Sequence, residues 1–183
     1  MGYTLARFIE DVDAVTARES APARITAAVA PLLARLVANP EAIPARYRRG
    51  GEGGARGRYM LHRAPRFNVT AVVWRPGDTA GAHDHATWGV IGVIDNRIQE
   101  TRYRVSRDGD RARLEVASVA THGPGAVSCL VPPDDEIHAM HNATDRDTVE
   151  IHVYGRDLAG LRRRTWKADG TEHELISPAY LNC

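Results

Sequence analysis

An all-β fold, a sandwich or barrel of short strands with helices packed outside, is what this sequence predicts, and three observations predict it. After Arg58, segments rich in β-branched and aromatic residues recur at near-regular spacing. Turn-forming pairs separate several of them: Asp95-Asn96, Asp108-Gly109 and Asp169-Gly170. Before that stretch the apolar residues follow the helical period instead.

The helical segment spans residues 1–43. Leu5, Phe8, Ile9, Val12 and Val15 form one apolar stripe, with Thr4 placed to cap its start. Ile25, Val29, Leu32, Leu33 and Leu36 form a second stripe, which Pro31 is expected to break and Asn39-Pro40 to end. Such stripes bury against their own protein. Residues 44–58 (PARYRRGGEGGARGR) have no Walker spacing and no strand–loop–helix context, so they read as a solvated loop. Residues 44–183 then read as one β unit. Its strands are expected at Phe67–Trp74, Trp88–Ile94, Arg97–Val105, Leu114–Val119, Val127–Val131, Glu136–His141 and Thr148–Tyr154, with a last hairpin turning at Asp169-Gly170.

The chain has 183 residues, 43% hydrophobic and 26% charged, which is enough to bury a core in one domain. A formal net charge of +1 supports neither nucleic acid nor an anionic membrane as partner. No stretch is long and apolar enough to span a bilayer, and no targeting segment is visible. Two cysteines, Cys129 and Cys183, make no disulfide framework, so the cytoplasm is the expected compartment. Cys129 reads as a small core residue.

Eight histidines are the unusual feature. His83 and His85 alternate across Asp84, so on a strand both rings project to one face and Asp84 to the other. Alone, such a pair fits a polar surface as well as a metal. Downstream, Pro133, His138 and Asn142 form a second spaced group, and a barrel can bring its histidine opposite the first two. Three imidazoles would leave open positions on Fe(II), and Zn(II) would accept them with water, so ligand number does not choose the metal. His141 falls on the other face from His138. His62, His122 and His173 have no partners in the pattern and read as surface or turn residues. Arg162-Arg163-Arg164 reads as a solvated charge run. Glu150, His152 and Tyr154 alternate with Val149, Ile151 and Val153, which fits either a strand wetted on one side or the polar interior of a ligand-binding barrel.

These spacings resemble the two motifs of the cupins, G-x5-H-x-H at Gly77–His85 and P-x-G-x2-H-x3-N at Pro133–Asn142, with Asp135 where glycine is usual. The glutamate that commonly follows the first motif is absent, its places being Gly89 and Val90. The segments PGDTAGAHDHATWGVIGV, EIHAMHN and EIHVYG further resemble one cupin branch, the thiol dioxygenases that include cysteine dioxygenase and 3-mercaptopropionate dioxygenase. The likeness runs from Arg58 to Tyr154, roughly half the chain. It implies a double-stranded β-helix (jelly-roll) barrel and a mononuclear Fe(II) enzyme that converts a small carboxylate-bearing thiol and O2 to a sulfinate. A metal-binding cupin of other function, a Zn or Mn enzyme or a non-catalytic ligand-binding module, is the alternative. Carried over residue by residue, His83, His85 and His138 match the metal ligands. Tyr154 matches a tyrosine near substrate and oxygen, and His152 the histidine that hydrogen-bonds it. Arg58 matches the carboxylate binder, with Arg56 as its rival two residues earlier. Trp88 is expected beside the site. The cysteine that cross-links to the tyrosine in animal enzymes is replaced by Gly89. Glu150 stands in place of a serine, either to hydrogen-bond His152 or to meet a cationic group on an atypical substrate.

Overall fold

The computed structural model describes residues 2–108, 111–133 and 135–183. Helices α1 (Leu5–Arg18) and α2 (Pro22–Val37) precede eleven strands, β1 (Gly57–Arg63), β2 (Asn68–Trp74), β3 (Thr79–His83), β4 (Gly89–Asp95), β5 (Ile98–Asp108), β6 (Arg111–His122), β7 (Val127–Leu130), β8 (His138–His141), β9 (Thr148–Tyr154), β10 (Arg162–Trp166) and β11 (Glu172–Ile176). Gly109, half of the expected Asp108-Gly109 turn, lies outside the described residues. The strands form two antiparallel sheets, ordered β1-β2-β9-β4-β7 and β11-β10-β3-β8-β5-β6. The fold is thus an all-β jelly roll of two sheets and not one closed barrel.

The five-stranded sheet is covered on its outer side by the helices. Val69, Ala71 and Val73 of β2, Val90 and Ile94 of β4, and Val149, Ile151 and Val153 of β9 share one buried cluster with Phe8, Val12, Val29, Leu33 and Leu36. Period-2 alternation then turns Thr70, Val72, Trp74, Glu150, His152 and Tyr154 to the opposite side, toward the second sheet. All seven residues of β9 are buried. The wetted-strand reading of Glu150, His152 and Tyr154 is therefore overturned: helices cover one face and the second sheet the other.

Helix α2 runs unbroken through Pro31, contrary to expectation. Pro31 and Ala27, whose carbonyl loses its helical partner, are both exposed, so the orphan oxygen belongs to the solvent-facing side of the helix. Burial of Val29, Leu33 and Leu36 on the sheet offsets the proline cost of about 3 kcal/mol. Thr4 caps α1 as expected, its Oγ1 accepting from Arg7 N at 3.2 Å. The Asp95-Asn96 turn also holds, with Asn96 at φ 60°. Two strands, β1 and β3, were not foreseen as separate elements, and β1 takes Gly57 and Arg58 from the expected loop. Among the described residues no helix is long and apolar enough to cross a membrane.

Candidate metal centre and its cavity

The two spaced motifs meet through their turns. Asn142 is fully buried and its Nδ2 donates to the carbonyls of Trp74, Arg75 and Arg146, at 3.0, 3.1 and 2.7 Å. Gly77, at φ 78°, donates its N–H to Asn142 O at 2.9 Å. A residue without Cβ suits that left-handed position, and the contact clamps the start of β3 to the end of β8. Those strands pair with His83 opposite His138.

His83, His85 and His138 are consequently neighbours. Their ring centroids lie 4.8 to 5.0 Å apart, and one ligand atom from each falls within 4.8 Å of the others. All three are buried. Each Nδ1 has an acceptor: Gly81 O at 2.7 Å for His83, Glu136 O at 3.3 Å for His85 and Glu100 Oε1 at 2.7 Å for His138. A ring whose Nδ1–H donates presents its Nε2 lone pair. Burial pushes His83 and His85 well below the ordinary histidine range, so both rings stay neutral, as metal ligands must. The residues therefore fit a divalent transition metal, with an all-imidazole donor set.

Asp84 plays a different part. It is buried, and its carboxylate takes Arg164 N at 2.8 Å and Arg164 Nε at 2.6 Å. It thereby ties the loop after β3 to β10. Glu136 accepts from the backbone N–H of His85 and Ala86, at 2.9 and 3.1 Å, and holds the other side of that loop.

Glu100 of β5 was not anticipated. Only 3% exposed, it accepts from His138 and from Ser128 Oγ, and its Oε2 lies 2.9 Å from His122 Nε2. Arg102 NH2 is 3.3 Å away. Burial raises the Glu100 carboxyl, but the bonds from His122 and His138, with Arg102, outweigh it and hold the group well below the usual carboxylate range. His122 is thus not a plain surface residue. Its bond to Glu100 raises it above the ordinary histidine range against burial. Nothing in the spacing around Glu100 marked it, because its partners come from β6, β7 and β8. Of the other histidines, His62 packs 5.2 Å from Phe67 and His173 is exposed.

Above the histidines lies a cavity of about 400 Å³. Tyr154 stacks on His85 with centroids 5.3 Å apart. His152 Nδ1 is 2.9 Å from Tyr154 Oη, and His152 Nε2 is 3.1 Å from Glu150 Oε2, which also accepts from Trp74 Nε1 at 2.6 Å. With Nε2–H directed at the carboxylate, Nδ1 is left to accept from the tyrosine. Burial raises Tyr154 above the usual phenol range, so it stays protonated. Glu150 is not a lining residue, and its carboxylate is engaged by Trp74 and His152. Gly89 pairs with Tyr154, and a Cβ there would lie 2.8 Å from the ring. Trp88 sits in the core beneath the helices and is not among the lining residues.

Arg58 lines the cavity, donating to Pro178 O and lying 5.1 Å from the Tyr180 ring. Arg56 also lines it but is engaged elsewhere, by Asp78 at 3.1 Å, Thr79 O at 3.0 Å and the Trp74 ring at 3.8 Å. Arg163 corrects the solvated-run expectation: it faces the cavity and donates to Asp84 O and to Ser177 Oγ at 2.7 Å. The signal was partial: neighbouring side chains on a strand point to opposite faces, so Arg163 points away from Arg162 and Arg164. Residues beyond β11 complete the wall, with Leu181 N donating to Arg58 O at 2.8 Å.

The family model described as cysteine dioxygenase type I matches residues 15–164. Among solved structures, the chain is similar to a cupin superfamily protein from Desulfitobacterium hafniense, at 12% identity over 65% of this chain and 88% of that one, with TM-score 0.43. It is similar to a double-stranded β-helix protein from Klebsiella pneumoniae at 15% identity, over 74% and 94%, with TM-score 0.45. A cupin 2 conserved barrel domain protein from Salinispora arenicola matches at 19% identity, over 63% and 87%, with TM-score 0.44.

Proposed function

This chain belongs to the cysteine dioxygenase type I family, and on that premise we propose that it is a mononuclear non-heme Fe(II) thiol dioxygenase. It converts a small carboxylate-bearing thiol, cysteine or 3-mercaptopropionate in type, and O2 to the sulfinate. Both oxygen atoms go to sulfur, which loses four electrons to dioxygen, and the thiol proton is released. The observation that carries the reading is three buried imidazoles converging beside Tyr154 and under an arginine-lined cavity. His83, His85 and His138 would hold the metal, which would supply Lewis-acid and redox chemistry to the thiol and dioxygen.

The remaining residues bind and move protons. Arg58 holds the substrate carboxylate through its free guanidinium edge, a charge-assisted contact worth about 1.5–3 kcal/mol. That orients the sulfur toward the histidines, which is catalysis by positioning. Tyr154 takes up the thiol proton as its own moves to His152 Nδ1, and the Glu150 carboxylate stabilises the imidazolium that results. Tyr154 thus remains a neutral phenol throughout. Cytoplasmic location is part of this reading, supported by two free cysteines and by the reducing conditions that Fe(II) prefers.

The test is oxygen consumption by Fe(II)-loaded protein with cysteine, 3-mercaptopropionate, cysteamine and 2-mercaptosuccinate. Uptake is expected with the carboxylate thiols and not with cysteamine. Arg58→Ala is expected to raise KM about tenfold or more while changing kcat less. No uptake with any thiol, despite bound iron, would overturn the proposal.

A further inference from the structure

The cavity wall carries three arginines and, among its described lining residues, no aspartate or glutamate. Neighbouring carboxylates are committed elsewhere. Asp78 neutralises Arg56, Asp84 takes Arg164, and Asp157 takes Arg63 at 2.8 Å. Arg58 and Arg163 donate instead to neutral acceptors: Arg58 to Pro178 O, Arg163 to Asp84 O and Ser177 Oγ. Two permanently charged guanidiniums therefore face one cavity without a carboxylate partner among the described residues. Burial disfavours both charges, and the Arg58 guanidinium makes the Arg163 charge costlier still. Such a pair suits external anions, because a guanidinium fork matches a carboxylate in both charge and geometry. The three imidazoles bear no negative charge and supply none.

The arginines come from opposite sheets, Arg58 from β1 and Arg163 from β10, yet rest on consecutive residues, Pro178 and Ser177. Both line the same cavity, and their acceptors adjoin in the chain, so each can offer its remaining N–H groups to an anion held there. A single carboxylate would leave one guanidinium without a counter-charge.

We propose that the substrate is a thiol carrying two carboxylates on neighbouring carbons, one held by Arg58 and one by Arg163. This rests on the thiol dioxygenase reading and narrows its substrate class.

The experiment uses matched ligands that differ by one carboxylate. Succinate and propionate are titrated calorimetrically into the anaerobic Fe(II)-loaded wild-type protein. In parallel, kcat/KM for oxygen uptake is measured with 2-mercaptosuccinate and 3-mercaptopropionate. Succinate is expected to bind at least tenfold more tightly than propionate, and the dicarboxylate thiol to show at least a tenfold higher kcat/KM. Arg163→Met and Arg58→Met should each bring succinate affinity down toward that of propionate. Equal or weaker binding of succinate in the wild type overturns the two-carboxylate site, and oxygen uptake with 3-mercaptopropionate would then leave the dioxygenase reading standing. Preferred succinate binding with no uptake from any thiol does the reverse: it supports the anion site and sinks the reaction.

Discussion

Two buried carboxylates, Glu150 and Glu100, face each other across this molecule, and each holds a histidine. Glu150 lies on the helix-covered sheet, where it joins His152 and Trp74, and the chain of hydrogen bonds ends at the Tyr154 hydroxyl. Glu100 lies on the six-stranded sheet, where it joins His138, His122 and Ser128, and its chain ends at a candidate metal ligand. The same carboxylate–histidine pair thus has two uses. On one side it sets where a proton rests. On the other it fixes a ring so that its Nε2 lone pair meets two others. The surroundings differ accordingly: Glu100 has Arg102 and His122 beside it, and Glu150 has only neutral donors and one imidazole.

The largest expected effect separates the two carboxylates by metal affinity. Glu100→Ala should weaken metal binding about ten- to a hundredfold, because His138 loses the acceptor that orients it. Glu150→Ala should leave that affinity within about twofold, since the Glu150 carboxylate bonds to Trp74 and His152 and not to a ligand ring. Equilibrium titration with Fe(II), or with Co(II) as a spectroscopic stand-in, reads both, and equal losses would dissolve the distinction.

Catalysis should divide the other way. Glu150→Ser is expected to lower kcat about tenfold or more and to shift the pH–rate profile, with a smaller change in KM. An unchanged profile would remove Glu150 from proton handling and leave it as packing for Trp74.

A smaller effect concerns His122. Its range is raised in the folded state by Glu100, so its bond is fully present below the unfolded value of about 6.5 and is lost as pH rises through the raised value. His122→Gln should therefore cost about 1 kcal/mol near pH 6 and progressively less in alkaline solution, a modest figure because the side chain is partly solvated. Denaturant melts across that range measure it. A pH-independent difference would mean that His122 serves Glu100 only as a neutral donor.

Part of this was legible in the chain. Alternation through Glu150, His152 and Tyr154 assigned them one face of a strand, and the spacing from Gly77 to His85 and from Pro133 to Asn142 singled out three histidines. Arg163 was hidden by its neighbours: a run of three arginines looks like a solvated surface until strand geometry turns the middle one inward. Glu100 and His122 were hidden more deeply, because the contact between them depends on the β5–β6 register and on the placement of β8 beside β5.

By itself, then, the sequence determined which residue types alternate, where the chain must turn and which imidazoles could share an ion, because periodicity and turn chemistry are local properties of the backbone. The tertiary structure alone decided which carboxylate stands behind which histidine and which arginines lack one. Those pairings join strands dozens of residues apart, and their energies arise only when burial removes water and leaves each charge with the partners that packing supplies.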